Sequence, residues 1–217
     1  MTSDKMSQPD SIRKTYQIVP GSQMGLISPE ILENIAKVAL KYNIPLVKIT
    51  AGQRLAFVGL DPDKINNIWH DLGHNHGPAK PAGIHYVQAC PGQKICKYGQ
   101  QDSFNLGQRL QDELATMKLP AKTKIGISGC AMNCCESFVR DLGIFGKKNG
   151  WTLVFGGNGG GRPRIGDIIS EDLNADQAIA LAKKCLHHYA QRAKPKERTA
   201  RFMERTDLQD FKKAIIA

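Results

Sequence analysis

The sequence predicts an α+β protein in two parts, and three observations carry that expectation. Residues 16–72 read as strand, helix, two strands and helix, an order that suits a small sandwich with an antiparallel sheet. From residue 84 onward, short strands alternate with turns and helices, and the C-terminal stretch is helical by period. The 217 residues can bury a core without disulfide staples, and 41% apolar with 23% charged residues is the composition of a globular chain.

The first fourteen residues are polar and aperiodic, so 1–14 is expected to be a flexible N-terminus, with a first domain over 15–80 and a second over 81–217. Tyr16 to Val19 reads as a strand stopped by Pro20-Gly21. Ser28-Pro29-Glu30 opens a helix with Ser28 as cap, and Ile31, Leu32, Ile35, Val38 and Ala39 keep helical spacing to about Tyr42. Leu46 to Thr50 and Arg54 to Gly59 form two strands about the turn Ala51-Gly52-Gln53, and Asp61-Pro62 starts a helix through Trp69 and Leu72. Gly73 to Gly83 is a linker rich in Gly, Pro and His. His70, His74, His76 and His85 lack a fixed frame there and read as loop residues rather than ligands.

Beyond the linker, Ile84 to Gln88 is a strand leading to Cys90. Asp102 caps a helix through Leu106, Leu110, Leu114 and Met117, and Lys124 to Ser128 is a strand leading to Cys130. Both cysteine segments read as loops that enter helices. Strands at Asp141 to Phe145 and Trp151 to Phe155 follow, joined by a Lys-Lys-Asn-Gly turn. The run Gly156-Gly157-Asn158-Gly159-Gly160-Gly161 lacks the ending of a P-loop and the spacing of a dinucleotide fingerprint, so it marks a backbone that passes close to something bulky. Asp176 to Tyr189 is an amphipathic helix, and Arg198 to Ile215 is one or two more.

Thirty Lys and Arg against twenty Asp and Glu give a net charge of +10. No aromatic or basic readout motif accompanies it, so nucleic acid is not the expected partner; a polyanionic cofactor, an acidic partner protein or plain surface solvation suits the excess. No basic segment with an apolar run opens the chain, and no apolar stretch is long enough to span a bilayer, so the expectation is a cytoplasmic protein without a membrane partner. In the cytosol the six cysteines are not expected to pair as disulfides, and the clustered, unevenly spaced ones point to metal or redox chemistry.

Cys90 and Cys96 have five residues between them, and Cys130 and Cys134 three. Four thiolates suit zinc or an iron–sulfur cluster; the wider gap and the nearby Gly92, Ser128 and Gly129 favour the cluster, while zinc stays open. Cys135 reads as packing or a spare thiol, and Cys185 as a buried small hydrophobe.

The stretch Cys90-Pro91-Gly92 through Cys96, then Gly129-Cys130-Ala131-Met132-Asn133-Cys134, Asp141-Leu142-Gly143 and Gly156-Gly157-Asn158-Gly159-Gly160, closely resembles the sirohaem and 4Fe-4S domain of sulfite and nitrite reductases. Thr50-Ala51-Gly52-Gln53-Arg54 resembles the arginine motif of that family's ferredoxin-like half-domain. The resemblance implies a ferredoxin-like N-terminal half-domain followed by a sirohaem/4Fe-4S α+β domain. It implies that Cys90, Cys96, Cys130 and Cys134 hold a 4Fe-4S cluster, with Cys134 also bridging to the sirohaem iron. It further implies that Arg54, Lys122 and Lys124 bind the anion and help to deliver protons, and that Arg54, Gly157, Asn158, Arg162 and Arg164 lie around the sirohaem. The activity implied is six-electron reduction of sulfite to sulfide, with nitrite to ammonia, or a non-catalytic iron–sulfur electron-transfer subunit, as alternatives. Reductases of this family commonly hold two copies of the module and this chain has one, so it is either a compact single-module reductase or a protein that completes its site by pairing with another copy, as a homodimer, or with another subunit; an acidic ferredoxin-like electron donor is the expected partner.

Overall fold

A computed structural model describes residues 16–74 and 82–216, and the chain divides into two units, Met1–Ala79 and Lys80–Ala217. The expected flexible 1–14 segment and the centre of the linker, including His76, lie outside the described residues.

In the first unit, α1 (Pro29–Lys41) begins where the sequence places it, because Ser28 Oγ accepts from the Ile31 amide at 3.3 Å and Pro29 supplies the helical φ. Strands β1 (Gln17–Ile18), β2 (Leu46–Ile49) and β3 (Leu55–Val58) form an antiparallel sheet in the order β1-β3-β2. Central β3 buries Ala56 and Phe57, and Phe57 joins Ile35, Val38, Ile68 and Trp69 in one core. The helix expected from Asp61 is two pieces: a 3-10 turn, Pro62–Lys64, capped by Asp61, and then α2 (Ile65–Asp71). Asp71 closes the unit by accepting from Lys41 Nζ at 2.6 Å and Tyr42 OH at 2.8 Å.

The second unit is a five-stranded sheet in sequence order: β4 (Gly83–Ala89), β5 (Lys122–Ser128), β6 (Leu142–Lys147), β7 (Gly150–Phe155) and β8 (Asp167–Leu173). The first three run parallel and the last three antiparallel. Helix α3 (Ser103–Leu114), capped by Asp102, is the crossover that parallel β4 and β5 require. Helices α3 and α4 (Ala175–Arg192) pack on the sheet, and α5 (Thr199–Glu204) and α6 (Leu208–Ile216) complete the C-terminal layer, where Phe155 stacks on Phe211 at 5.4 Å. Strand β8 is absent from the sequence reading. Only Ile169 of its seven residues has a buried side chain, so its pattern does not separate it from an acidic loop, and its pairing with β7 shifts register twice.

The two cysteine loops also differ from expectation, for each passes into a single 3-10 turn rather than a helix: Gly92–Lys94 and Ser137–Val139. The physical reason is a left-handed residue at each place, Gly92 at φ +60° and Glu136 at φ +57°, which an α-helical ladder cannot accommodate.

One buried charge organises the far side of this unit. Asp141 is 1% exposed; its carboxylate accepts from the Lys124 amide at 2.8 Å, from Arg198 Nη2 at 2.7 Å and Nε at 3.1 Å, and from Thr199 Oγ1 at 2.7 Å. It thereby joins β5, the start of β6 and the start of α5. Because removing one member of such a buried pair strands the other, Asp141→Asn should destabilise the protein by about 3 kcal/mol in urea unfolding. Glu197 carries a second tie. The Arg205 guanidinium holds its carboxyl down to about 2, aided by the Lys194 amide. A depressed carboxyl contributes stability above its ordinary range and loses it as pH falls, so Glu197→Gln should flatten the pH dependence of stability between about pH 4.5 and 2.

Candidate metal centre

Parallel neighbours β4 and β5 end at the same edge of the sheet, so the residues that follow them, Cys90 and Cys130, emerge side by side; the Cys90 amide donates to Ile127 O at 3.1 Å. The two loops then touch backbone to backbone. A Cβ on Gly129 would lie 2.6 Å from Gly92 Cα, and one on Gly99 would lie 2.3 Å from Gly92 C, distances that no side chain tolerates. The amides of Gln100 and Gln101 donate to Gly129 O at 2.8 and 2.9 Å and lock the contact.

This brings together all four predicted thiols. Cys90 and Cys130 are buried, Cys96 is partly covered and Cys134 is exposed. Among the described residues no three His, Cys, Asp or Glu side chains converge on a single ion. The Cys90 thiol is held down to about 5, first by a hydrogen bond from Cys135 and then by the amides of Gly129 and Gly92 and the Ser103 hydroxyl, against the opposing effect of burial. The Gly129 amide approaches its sulfur at 3.0 Å. Cys134 is pushed up, by desolvation and by the neighbouring Cys90, Cys130 and Cys96. Four thiolates so close repel one another unless positive charge lies between them, and an iron–sulfur cluster supplies that charge.

Cys135 turns inward, 1% exposed, and remains a neutral donor to Cys90 because that contact and burial both raise its pKa. Cys185 is fully buried on α4, and burial raises it as well.

The turn after Cys130 lies on a floor of glycines. A Cβ on Gly126 would meet Cys135 O at 2.5 Å, one on Gly143 would meet Ser137 O at 2.0 Å, and one on Gly157 would meet Phe138 O at 2.4 Å. Gly157, expected beside a cofactor, thus has a contact within the protein. Asn158 closes the following loop: it exchanges backbone hydrogen bonds with Arg164, and its Nδ2 donates to Arg162 O at 2.7 Å. Arg164 donates to Gly156 O at 2.9 Å and pairs with Asp167 at 2.6 Å, while exposed Arg162 pairs with Glu204 at 2.9 Å. Within the loop, Gly161 has no atom within 4 Å of a Cβ position.

Lys122 and Lys124 point to one face of β5 with Gly126, and the parallel register sets Tyr86 and Gln88 of β4 on that face. Lys124 Nζ is 5.9 Å from the Tyr86 ring centroid. The sequence reading missed Tyr86, Gln88 and above all Arg140, a guanidinium 12% exposed that reaches across this face. The available signal is polar Tyr86 and Gln88 alternating within an apolar strand, opposite Lys122 and Lys124; Arg140 carries none. Arg54 belongs to the first unit, where its amide donates to Thr50 Oγ1 at 3.2 Å.

The nitrite and sulphite reductase 4Fe-4S domain matches residues 82–217, and the nitrite/sulfite reductase ferredoxin-like half domain matches residues 13–75. The chain belongs to the nitrite and sulphite reductase family. An assimilatory-type sulfite reductase of Nitratidesulfovibrio vulgaris is 42% identical to this reductase-family chain over 202 residues, 93% of each protein. The nitrite reductase [NAD(P)H] of Bacillus subtilis is 37% identical over 194 residues, and the nitrite reductase (NADH) large subunit of Escherichia coli 34% over 206; the chain spans 24% of each. Dissimilatory sulfite reductase I superposes with a TM-score of 0.81 at 12% identity, covering 93% of this chain and 69% of that one, a likeness of fold alone.

Gly129→Ala should cost most of the bound iron and sulfide, whereas Gly161→Ala, with open space around it, should keep both; iron and acid-labile sulfide per chain measure the difference.

Proposed function

We propose that this protein reduces sulfite to sulfide at a sirohaem coupled to the 4Fe-4S cluster, with electrons arriving from a separate protein. The observation that carries the reading is the graded exposure of the thiols: Cys90 and Cys130 are buried, Cys96 is partly covered, and Cys134 is exposed, where it would be open to a second iron. The near end-to-end match with an assimilatory-type sulfite reductase favours sulfite as the substrate.

When bound, the cluster and sirohaem supply single electrons and the iron on which the anion is reduced. The side chains provide the rest. Bisulfite, six electrons and six protons give hydrosulfide and three waters, so the site must attract an anion and pass protons repeatedly. Lys122 and Lys124 share one face of β5 and suit both tasks. The loop from Gly157 to Arg164 would border the sirohaem, its shape held by Asn158 and braced from inside by Arg164, and the exposed Arg162 guanidinium would exchange Glu204 for a cofactor carboxylate.

The basic surface suits an acidic ferredoxin-like donor, and a second copy of the chain would complete the two-module arrangement. Cysteines that serve as metal ligands rather than disulfides suit the cytoplasm, and among the described residues no helix is long and apolar enough to cross a membrane.

Nitrite reduction to ammonia on the same residues is the second reading, favoured by the identity to the nitrite reductases. With reduced viologen as donor, kcat/KM should be higher for sulfite than for nitrite, and the opposite order makes nitrite the substrate. Cys134→Ser should alter the haem absorption bands as well as the cluster signal; a change in the cluster alone removes the bridge. Lys124→Met should lower kcat/KM for sulfite about tenfold while iron content is kept.

A further inference from the structure

Arg140 has no part in the scheme above, yet it is the most heavily used side chain near the cysteines. Its Nε donates to Cys135 O at 3.2 Å, Nη1 to Tyr86 OH at 3.0 Å, and Nη2 to Gln88 Oε1 at 2.9 Å and to Glu136 Oε2 at 2.8 Å. Three of these four acceptors are neutral, and the one carboxylate, Glu136, is 63% exposed. Charge balance therefore does not explain a guanidinium drawn in this far. The fork works as a spacer whose planar donors fix several acceptors at once, which an ammonium cannot do.

What it spaces is the turn of Cys134. The residue that follows, Cys135, is held from both sides: its amide donates to Ser128 Oγ at 3.0 Å, at the end of β5, and its carbonyl accepts from Arg140, which is anchored on β4. Asn133, on the other side of Cys134, accepts from the Ser137 amide at 2.9 Å and from Ser128 Oγ at 3.2 Å. Gly126 leaves the room for this arrangement, since its Cβ would lie 2.5 Å from Cys135 O and 2.8 Å from Arg140 Cγ. Arg140 Cζ and Lys124 Nζ each stand 5.9 Å from the Tyr86 ring centroid, so one aromatic ring links the guanidinium to the lysine strand.

We propose that Arg140 is a positioning residue that holds the Cys134 turn in register with the strand bearing Lys124, and so sets the geometry of the thiolate that couples the two metal groups. This rests on the reading of Cys134 as the bridge. Arg140 is not an anion ligand in this arrangement, because its donors are already occupied by the protein.

The test uses the purified holoprotein as Arg140→Lys, with Gly126→Ala as a second disturbance of the same carbonyl and Arg109→Lys, on the outer face of α3, as control. Arg140→Lys should keep its iron, sulfide and melting temperature, yet shift the haem absorption bands and the g-values of the reduced cluster, and lower kcat about tenfold with KM for sulfite unchanged. Gly126→Ala should move the same spectral features, and it decides the matter if Arg140→Lys does not fold; Arg109→Lys should match the wild type. Wild-type spectra in both Arg140→Lys and Gly126→Ala overturn the proposal, as does a loss of activity that only follows lost iron, or a raised KM at constant kcat. Failure of the bridging assignment shows elsewhere, in Cys134→Ser with unaltered haem bands, whereas failure of this inference shows in the Arg140 and Gly126 variants alone.

Discussion

The structure of the metal centre depends on backbone approaching backbone where side chains would forbid it. Two polypeptide loops that leave neighbouring parallel strands normally diverge, because each carries side chains toward the other. Here Gly92 and Gly129 meet with no room for a Cβ, and the carbonyl of Gly129 receives two amides from the opposite loop. That contact turns two sequence-distant cysteine pairs into one cradle. The same device recurs one layer away, where Gly126, Gly143 and Gly157 form a floor for the segment after Cys134. A methyl group at any of these positions would lift the turn, and the thiols, away from the sheet.

Electrostatics then divides labour among chemically identical side chains. Cys90 is surrounded by neutral donors that lower its pKa, whereas desolvation, and then the charge of the other three thiols, raises that of Cys134. Loading a cluster relieves both conditions at once. Cations elsewhere form outer ion pairs, Lys183 with Glu113, Arg109 with Asp176 and Arg205 with Glu197, which join neighbouring segments and leave the excess of +10 untouched. The most deeply buried charge, Asp141, is likewise structural: it ties the start of α5 to the parallel strands and so holds the C-terminal layer on the sheet.

Much of the fold is legible in the sequence because local signals agree with it. Ser28-Pro29 opens α1 and the β2–β3 turn falls at Ala51-Gly52-Gln53, since caps and turns are short-range chemistry. The missed elements lack such signals. Strand β8 is specified by its pairing with β7 rather than by its own alternation. The left-handed residue Glu136, which replaces an expected helix by one 3-10 turn, is dictated by the glycine floor beneath it. In the same way Asn158 stands out in the sequence as a polar residue in a glycine run and Arg164 as a cation just after it, and only their partners show that they close and brace a loop.

By itself the sequence determined the α+β class, the four candidate thiols and the family. All three follow from residue identity and spacing along the chain, and a ligand's chemistry is carried by the residue itself. What only the tertiary structure decided is how those residues differ from one another: which thiol is withdrawn and which exposed, and that Arg140, silent in the sequence, spans β4 and the Cys134 turn. The reason is that exposure and hydrogen-bond partnership are properties of the space between strands. They are set by parallel register and by missing Cβ atoms, and neither exists until the strands have met.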